Sequence, residues 1–177
     1  MKTIESECDT GHKKEIDCCI QEYYLMLYRF CSRLLGDGEE ARDVTQDTFL
    51  ILNLNLNRKD TVVENRKAWL YRTAANRCTD FLRRRNRFRG IFFRNEFLPG
   101  TAEPADRMME EEQRDRNLRA SFSRLSVRDR LLLSLYRDGL TYADMASISG
   151  IRLTSIGKLL ARAMARLTRE VKRGESE

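Results

Sequence analysis

The sequence predicts an all-α protein made of two small helical domains joined by a flexible linker. Apolar residues recur at intervals of three and four along most of the chain, which is the spacing of one helix face. Two prolines, Pro99 and Pro104, lie close together near its middle. Because proline fixes its backbone dihedral and lacks a backbone donor, they favour an irregular connector. The predicted segments are an N-terminal tail (1–19), a first domain (20–90), the linker (91–117) and a second domain (118–173).

Composition excludes several classes of protein. With 41% hydrophobic and 34% charged residues, the 177-residue chain is too apolar to be disordered. No run approaches the roughly 18 apolar residues of a membrane helix, so we expect a cytoplasmic protein without membrane insertion. The five cysteines lack a disulfide-scaffold spacing and are expected to be reduced. The spacing of Cys8, His12, Cys18 and Cys19 is not that of zinc ligands, so no metal or cofactor is expected.

The first domain begins with two predicted helices. An apolar stripe from Ile20 to Leu35 forms the first, which Gly36 ends. The second begins at Asp37 or Gly38 and carries acids on its outer face. Residues 51–57 alternate between leucine or isoleucine and asparagine as in a strand, but no partner strand is evident, so a fraying helix end is preferred. The residues expected inside the second helix are Ala41, Val44, Thr45, Thr48 and Leu52.

A long basic helix is predicted next. After a polar loop at 57–64, Asn65 is the expected N-cap of a helix from Arg66 to about Arg89. One face carries Trp69, Thr73, Asn76, Asp80 and Arg84, and an apolar face lies beside it. A ring with polar groups on one surface suits contact with bases drawn out of a duplex, although an aromatic residue at helical spacing is more often core.

The second domain has the pattern of a helix-turn-helix. A helix through Leu118 to Leu125 leads to one capped by Ser126 and stopped at Gly139. Thr141 is the expected cap of a short helix through Ser149, and Gly150 makes a turn before a longer basic helix that starts at Thr154.

Two basic segments stand behind the modest net charge of +6. Residues 66–94 hold ten Arg or Lys and one acid, a local net of +9, and residues 152–173 hold seven basic residues and one acid. One segment in each half of the chain predicts two separate DNA contacts. The alternative is that these arginines only solvate helix faces.

Four sequence runs, EARDVTQDTF at 40–49, AWLYRTAANR at 68–77, DFLRRR at 80–85 and LTYADMA at 140–146, resemble in this order those of the extracytoplasmic-function (group IV) sigma factors of the bacterial sigma-70 family. EARDVTQDTF at 40–49 is similar to their region 2.2, whose usual form is DAEDLVQETF. AWLYRTAANR at 68–77, followed by DFLRRR at 80–85, is similar to regions 2.3 and 2.4. LTYADMA at 140–146 is similar to region 4. Regions 1.1 and 3 are not found between the matched segments, which is typical of group IV.

The resemblance implies a non-catalytic initiation subunit that directs core RNA polymerase to promoters. Asp43, Gln46 and Asp47 are then expected to bind the coiled-coil of the beta-prime subunit. The first domain would read the minus-10 element, capture a flipped base and so aid melting, while arginines such as Arg83 and Arg84 contact phosphates. The residues expected at the minus-10 element are Asn65, Arg66, Trp69, Arg72, Asn76, Asp80, Arg83 and Arg84.

The second domain is expected to place its last helix in the major groove at the minus-35 element and to engage the beta flap. Two departures from the family pattern occur here: Gly157-Lys158-Leu159 stands where many relatives have Lys-Ser-Arg, and Arg152 replaces a usual proline. An anti-sigma factor is a further expected partner. The residues expected at the minus-35 element are Tyr142, Arg152, Thr154, Ser155, Lys158 and Arg162.

Two other functions compete with this interpretation. A sigma-like DNA-binding regulator or anti-sigma decoy would keep the fold without initiating transcription. An enzyme acting on nucleic acid is disfavoured because the single histidine, His12, lies in the predicted tail and no phosphate-binding glycine loop or metal-ligand spacing accompanies the acids.

Overall fold

The described part of the chain is entirely helical in its regular structure. A computed structural model describes the backbone of residues 3–56, 65–89 and 108–174, and the side chains of residues 14–56, 65–85 and 116–174. The helices are α1 (Thr3–Leu35), α2 (Gly38–Leu56), α3 (Arg66–Arg89), α4 (Met108–Ser123), α5 (Val127–Arg137), α6 (Tyr142–Ser149) and α7 (Leu153–Gly174).

Helices α1, α2 and α3 form the first domain. Helix α1 begins at Thr3, so residues assigned to a tail continue this helix, and Ile16 and Cys19 already lie in the core. The predicted inward residues of α2 are all buried. The helix starts are fixed by short side chains: Asp37 Oδ1 accepts from the backbone N–H of Glu39 at 2.8 Å, and Asn65 Oδ1 accepts from Ala68 at 2.9 Å.

The alternating segment at the end of α2 is helical through Leu56, as expected, and residue 57 lies outside the described residues. Leu52 is fully buried, whereas Leu50 and Leu54 are 60% and 63% exposed. Successive leucines of this segment therefore lie on different faces of the helix. The described ranges contain no strand with which the segment could pair.

Helices α4 to α7 form the second domain. Ser126 caps α5, and Thr141 with Asp144 forms a reciprocal capping box on α6. Gly139 and Gly150 adopt φ of 73° and 69°, the left-handed conformation that glycine permits at a helix end. Helix α4 begins at Met108, within the segment assigned to the linker, while Pro99 and Pro104 lie outside the described residues.

The two domains contact each other directly. Helix α5 packs on α1, and α6 packs on α3, while α7 packs on α4, α5 and α6 within its own domain. Buried residues of both domains form one hydrophobic cluster.

Candidate nucleic-acid and polymerase interfaces

An acidic and apolar stripe runs along the outer face of α2. Asp43, Gln46 and Asp47 are all exposed. Asp47 Oδ2 accepts a hydrogen bond from Arg77 at 2.8 Å, and the side chains of Arg77 and Asp47 are 41% and 50% exposed. Because exposed pairs of this kind contribute only about 0 to 1 kcal/mol, a stronger partner can displace Arg77 from Asp47.

The same face of α2 carries exposed leucines that the sequence argument did not select. Leu50 and Leu54 follow Asp43 and Asp47 at spacings of three and four, which places all of them along one side of the helix. Two large apolar side chains beside two carboxylates form a surface that suits a protein partner better than DNA, whose phosphates the carboxylates repel. The spacing from Asp43 was the signal that would have identified them.

On the opposite, buried face of α2, two threonine hydroxyls form hydrogen bonds with backbone carbonyls of the same helix. Thr45 and Thr48 are fully buried, and their hydroxyls donate to the carbonyls of Ala41 and Val44 at 2.7 Å. Because these buried hydroxyls are satisfied within the helix, they lie against the core without loss of hydrogen bonds. The acidic stripe therefore lies on a helix whose opposite face is packed in the core.

On the face of α3 predicted to read the minus-10 element, some side chains are exposed to solvent and others contact neighbouring residues. Asn76, Asp80 and Arg84 are exposed, and Asp80 forms an exposed ion pair with Arg83 at 3.5 Å. Trp69 is half-buried and packs against the core, so part of the residue remains accessible to solvent.

Other predicted minus-10 residues are already engaged. Arg66 pairs with Glu15 of α1 and is partly buried. Arg72 donates to the hydroxyl of Ser147 in α6, which belongs to the second domain. Asn65 uses its side-chain oxygen as the N-cap of α3. The structure thus places these residues around the start of one helix without presenting all of them equally to solvent.

The other face of α3 forms the core of the first domain. Leu70, Ala74 and Cys78 are fully buried and Leu82 is 2% exposed, as the sequence pattern predicts. Cys31 of α1 lies against Cys78, and the hydrogen bond between the two thiols, together with burial, raises the pKa of Cys78. The raised pKa keeps the Cys78 thiol neutral, which suits a core residue rather than a nucleophile.

Helix α7 presents its predicted base-reading side chains to solvent. Thr154, Lys158 and Arg162 follow one another at a spacing of four and are exposed, Ser155 is half-buried beside them, and Arg152 is exposed just before the helix. Ile156, Leu160 and Ala163 are buried on the opposite side.

Gly157 lies beside an aromatic ring from the neighbouring helix. A Cβ at this position would lie 3.5 Å from Cε2 of Tyr142, which is ordinary van der Waals contact. Tyr142 is 46% exposed, so its ring borders the α7 surface without being enclosed. An alanine side chain would therefore fit at position 157 beside the Tyr142 ring.

A buried carboxylate fixes α7 to the rest of its domain. Asp129 of α5 is 2% exposed and accepts from Arg166 at 2.6 Å. Because a buried carboxylate requires a charged or hydrogen-bonded partner, this pair restrains α7 four residues beyond Arg162.

The described residues offer no group of three or more histidine, cysteine, aspartate or glutamate side chains arranged to hold a metal ion. Within the same part of the chain, no helix is long and apolar enough to cross a membrane.

Residues 19–88 match the Sigma-70 region 2 family, and residues 115–167 match the Sigma-70 region 4 family. The chain belongs to the sigma-70 family. Its first domain is region 2 and its second is region 4, so that α2 and α3 lie in region 2 and the helix-turn-helix of α6 and α7 lies in region 4. Sigma factors are non-catalytic initiation subunits of RNA polymerase.

Two relatives that are themselves ECF sigma factors place the chain in the ECF subfamily. It is 24% identical over 165 residues to the ECF RNA polymerase sigma factor SigE of Mycolicibacterium smegmatis, covering 91% of this chain and 63% of that protein. It is 38% identical over 61 residues to the ECF RNA polymerase sigma factor SigW of Bacillus subtilis, covering 33% of this chain and 31% of that protein. The matches thus span less than two thirds of either relative.

Solved structures share the fold. The sigma factor RpoE in complex with the anti-sigma factor NepR from Bartonella quintana has a TM-score of 0.69 at 23% identity, covering 90% of this chain and 98% of that chain. CnrH in complex with the cytosolic domain of CnrY has a TM-score of 0.68 at 18% identity, covering 95% and 94%.

Proposed function

We propose that this sigma-70 chain binds core RNA polymerase in the cytoplasm and directs it to promoters by reading a minus-10 element with region 2 and a minus-35 element with region 4. The observation that carries the proposal is the separation of three surfaces on one fold. An acidic and apolar stripe lies on α2, a polar and basic face lies on α3, and a row of polar and basic side chains lies on α7.

Core polymerase is the proposed partner of the α2 stripe. Asp43, Gln46 and Asp47 would meet basic side chains of the beta-prime coiled-coil, and Leu50 with Leu54 would supply apolar contact beside them. A local acidic surface on a chain of net charge +6 separates this protein contact from the DNA contacts. Region 4 would engage the beta flap.

Promoter DNA is the proposed partner of α3 and α7. On α7, Ser155, Lys158 and Arg162 would reach base edges in the major groove, because they lie in the first half of the exposed face. On α3, Asn76 and Asp80 would bind the edge of an extruded base and the accessible part of Trp69 would stack on it, so that melting proceeds through capture of single-stranded bases. Arg83 and Arg84 would contact phosphates.

An anti-sigma factor is also a proposed partner. Two solved structures with this fold are complexes, one with the anti-sigma factor NepR and one with the cytosolic domain of CnrY. The exposed leucines of α2 offer such a regulator an apolar surface that overlaps the polymerase contact.

Run-off transcription with purified core polymerase tests the proposal. Transcription starts mapped after overexpression supply the promoter templates, and the chain should then yield a transcript of defined length from such a template and none from a scrambled one. A chain that binds core polymerase but gives no promoter-specific transcript is instead a decoy.

A further inference from the structure

An ion pair joins the proposed polymerase surface of α2 to the helix that is proposed to bind the minus-10 element. Arg77 Nη1 of α3 donates to Asp47 Oδ2 of α2 at 2.8 Å. Asp47 belongs to the acidic stripe, and among the described residues it is the ion-pair partner of Arg77. The Asp47 carboxylate therefore has two competing partners, one within the chain and one on polymerase.

Arg77 lies at the edge of the α3 face that is proposed to bind DNA. It follows Thr73 by four positions and precedes Asp80 by three, so it neighbours both on the helix surface. In the described part of the chain, Asn76 and Arg83 line a crevice with α5 and α6, whereas Arg77 does not. A nucleic acid strand on this face would therefore meet Arg77 on a side that the crevice leaves open.

A second pair between the same two helices is more firmly fixed. Arg85 of α3 donates to Glu40 Oε2 of α2 at 3.3 Å, and these side chains are only 29% and 27% exposed. Arg85 also donates to the backbone carbonyl oxygen of Leu35 at 3.3 Å, at the end of α1. Because Arg85 has two described partners on two helices, its role is to hold α3 against α1 and α2.

An arginine of α1 is also held by a shielded partner. Arg33 pairs with Asp138 of α5 at 2.6 Å, with side chains 18% and 14% exposed, and Asp138 also accepts from the Tyr71 hydroxyl at 3.1 Å. The Arg77–Asp47 pair has neither this burial nor a third partner among the described residues. Water and salt screen an exposed pair, so Arg77 is the arginine of these three that exchanges partners most easily.

Both members of the Arg77–Asp47 pair can bind a different partner. A guanidinium donates to the paired oxygens of a phosphate in the same way as to those of a carboxylate, so a DNA phosphate can replace Asp47 at Arg77. A basic side chain of polymerase can likewise replace Arg77 at Asp47. Each replacement removes the same internal ion pair, so each makes the other more favourable.

We propose that Arg77 is a further DNA-phosphate contact of region 2, which Asp47 occupies in the free chain and which polymerase releases when it binds Asp47. The inference rests on the proposed function for the partners of α2 and α3. Arg77 would position the strand without reading its sequence, because a phosphate is the same at every nucleotide.

Binding of a fluorescent mixed-sequence 12-nucleotide single strand by the intact chain tests the DNA contact. The parent chain, Asp47→Asn, Arg77→Ala and the chain with both substitutions form a double-mutant cycle. Fluorescence anisotropy gives the affinity at several salt concentrations, and circular dichroism checks the helix content of every variant. Glu39→Gln is the matched control, because it makes the same charge change at an exposed position of the same helix.

Asp47→Asn frees Arg77 and should strengthen single-strand binding about threefold. The slope of log affinity against log salt concentration should become steeper by about 0.7, which corresponds to one more phosphate contact with a single strand. In the Arg77→Ala background, Asp47→Asn should change neither quantity. Glu39→Gln should match the parent chain.

Two results would overturn the DNA contact. An equal gain from Asp47→Asn with and without Arg77 would mean that the carboxylate only repels phosphate. An equal gain from Glu39→Gln would mean that net charge alone sets the affinity. These measurements use neither polymerase nor a promoter, so they can fail while run-off transcription succeeds.

A titration of labelled chain with core polymerase tests the release. Arg77→Ala removes the internal competitor for Asp47 and should tighten binding to core enzyme about two- to threefold, but not in the Asp47→Asn background. Unchanged core affinity of the Arg77→Ala chain would contradict the release. If the single-strand results hold and no promoter-specific transcript is made, the proposed function fails while the Arg77 contact stands.

Discussion

Helices α3 and α7 are both basic, and both are proposed to bind DNA, but their surroundings differ. On α7, Thr154, Lys158 and Arg162 are exposed, whereas polar side chains of α3 meet Glu15 of α1, Ser147 of α6 and the walls of a crevice between α3, α5 and α6. The positive charge of a helix therefore does not by itself indicate that its side chains are accessible to DNA. The side chains of α7 proposed to bind DNA are thus accessible in this conformation, whereas part of the α3 face is covered by region 4.

The largest expected effect separates the two faces of α3. Leu70→Ala removes a fully buried side chain and should lower the free energy of unfolding by about 2–5 kcal/mol. Asn76→Ala, on the exposed face, should change stability by less than about 0.5 kcal/mol and weaken transcription from the mapped promoters. Urea denaturation checks the first and run-off transcription the second. Equal destabilisation by both would contradict the assignment of faces.

The second test concerns the proposed base-reading surface of α7. Arg162→Ala should reduce affinity for minus-35 duplex DNA and, if the guanidinium reads a base edge, cost about 1–3 kcal/mol of discrimination at one position. Fluorescence anisotropy with a set of single-base variants measures it. Arg169→Ala, further along the same helix, is the matched control. An identical loss on every sequence would make Arg162 a phosphate contact.

The α2 stripe provides a third test because it is proposed to bind protein rather than DNA. Asp43→Arg should weaken binding to core polymerase by about tenfold, or about 1.4 kcal/mol, since the reversed charge repels a basic partner. A titration of labelled chain with core enzyme gives the affinity. Glu22→Arg reverses an exposed acid on α1 and should leave it unchanged. Unaltered affinity of the Asp43 variant would remove α2 from the polymerase interface.

The smallest expected effect concerns Gly157. Gly157→Ala adds a methyl group at ordinary contact distance from Tyr142, and alanine is about 1 kcal/mol more favourable than glycine inside a helix. The midpoint temperature of thermal unfolding, Tm, should therefore rise by roughly 2–4 °C. A lower Tm would mean that the Tyr142 ring cannot accommodate the methyl group.

The amino-acid pattern predicted the order of the helices, the caps of α3, α5 and α6, and the inward faces of α2 and α3, but not the starts of α1 at Thr3 and of α4 at Met108. Periodicity identified the buried set of α2 from Ala41 to Leu52 and that of α3, and Asn65, Ser126 and Thr141 act as the caps that their residue types predict. These features depend on neighbours three or four positions away, so a linear pattern contains them. The family motifs, likewise, are local runs of residues.

Which of these surfaces are covered depends on how the two domains pack against each other. The sequence analysis assigned no role to Asp138, because its partners Arg33 and Tyr71 lie 105 and 67 positions away. It also assigned Arg72 to the minus-10 element without its contact to Ser147, 75 positions away. A contact at such separation leaves no periodic signal, since it depends on how two finished helical domains meet. Local chemistry therefore predicts what each helix can bind, whereas domain packing decides when it is free to do so.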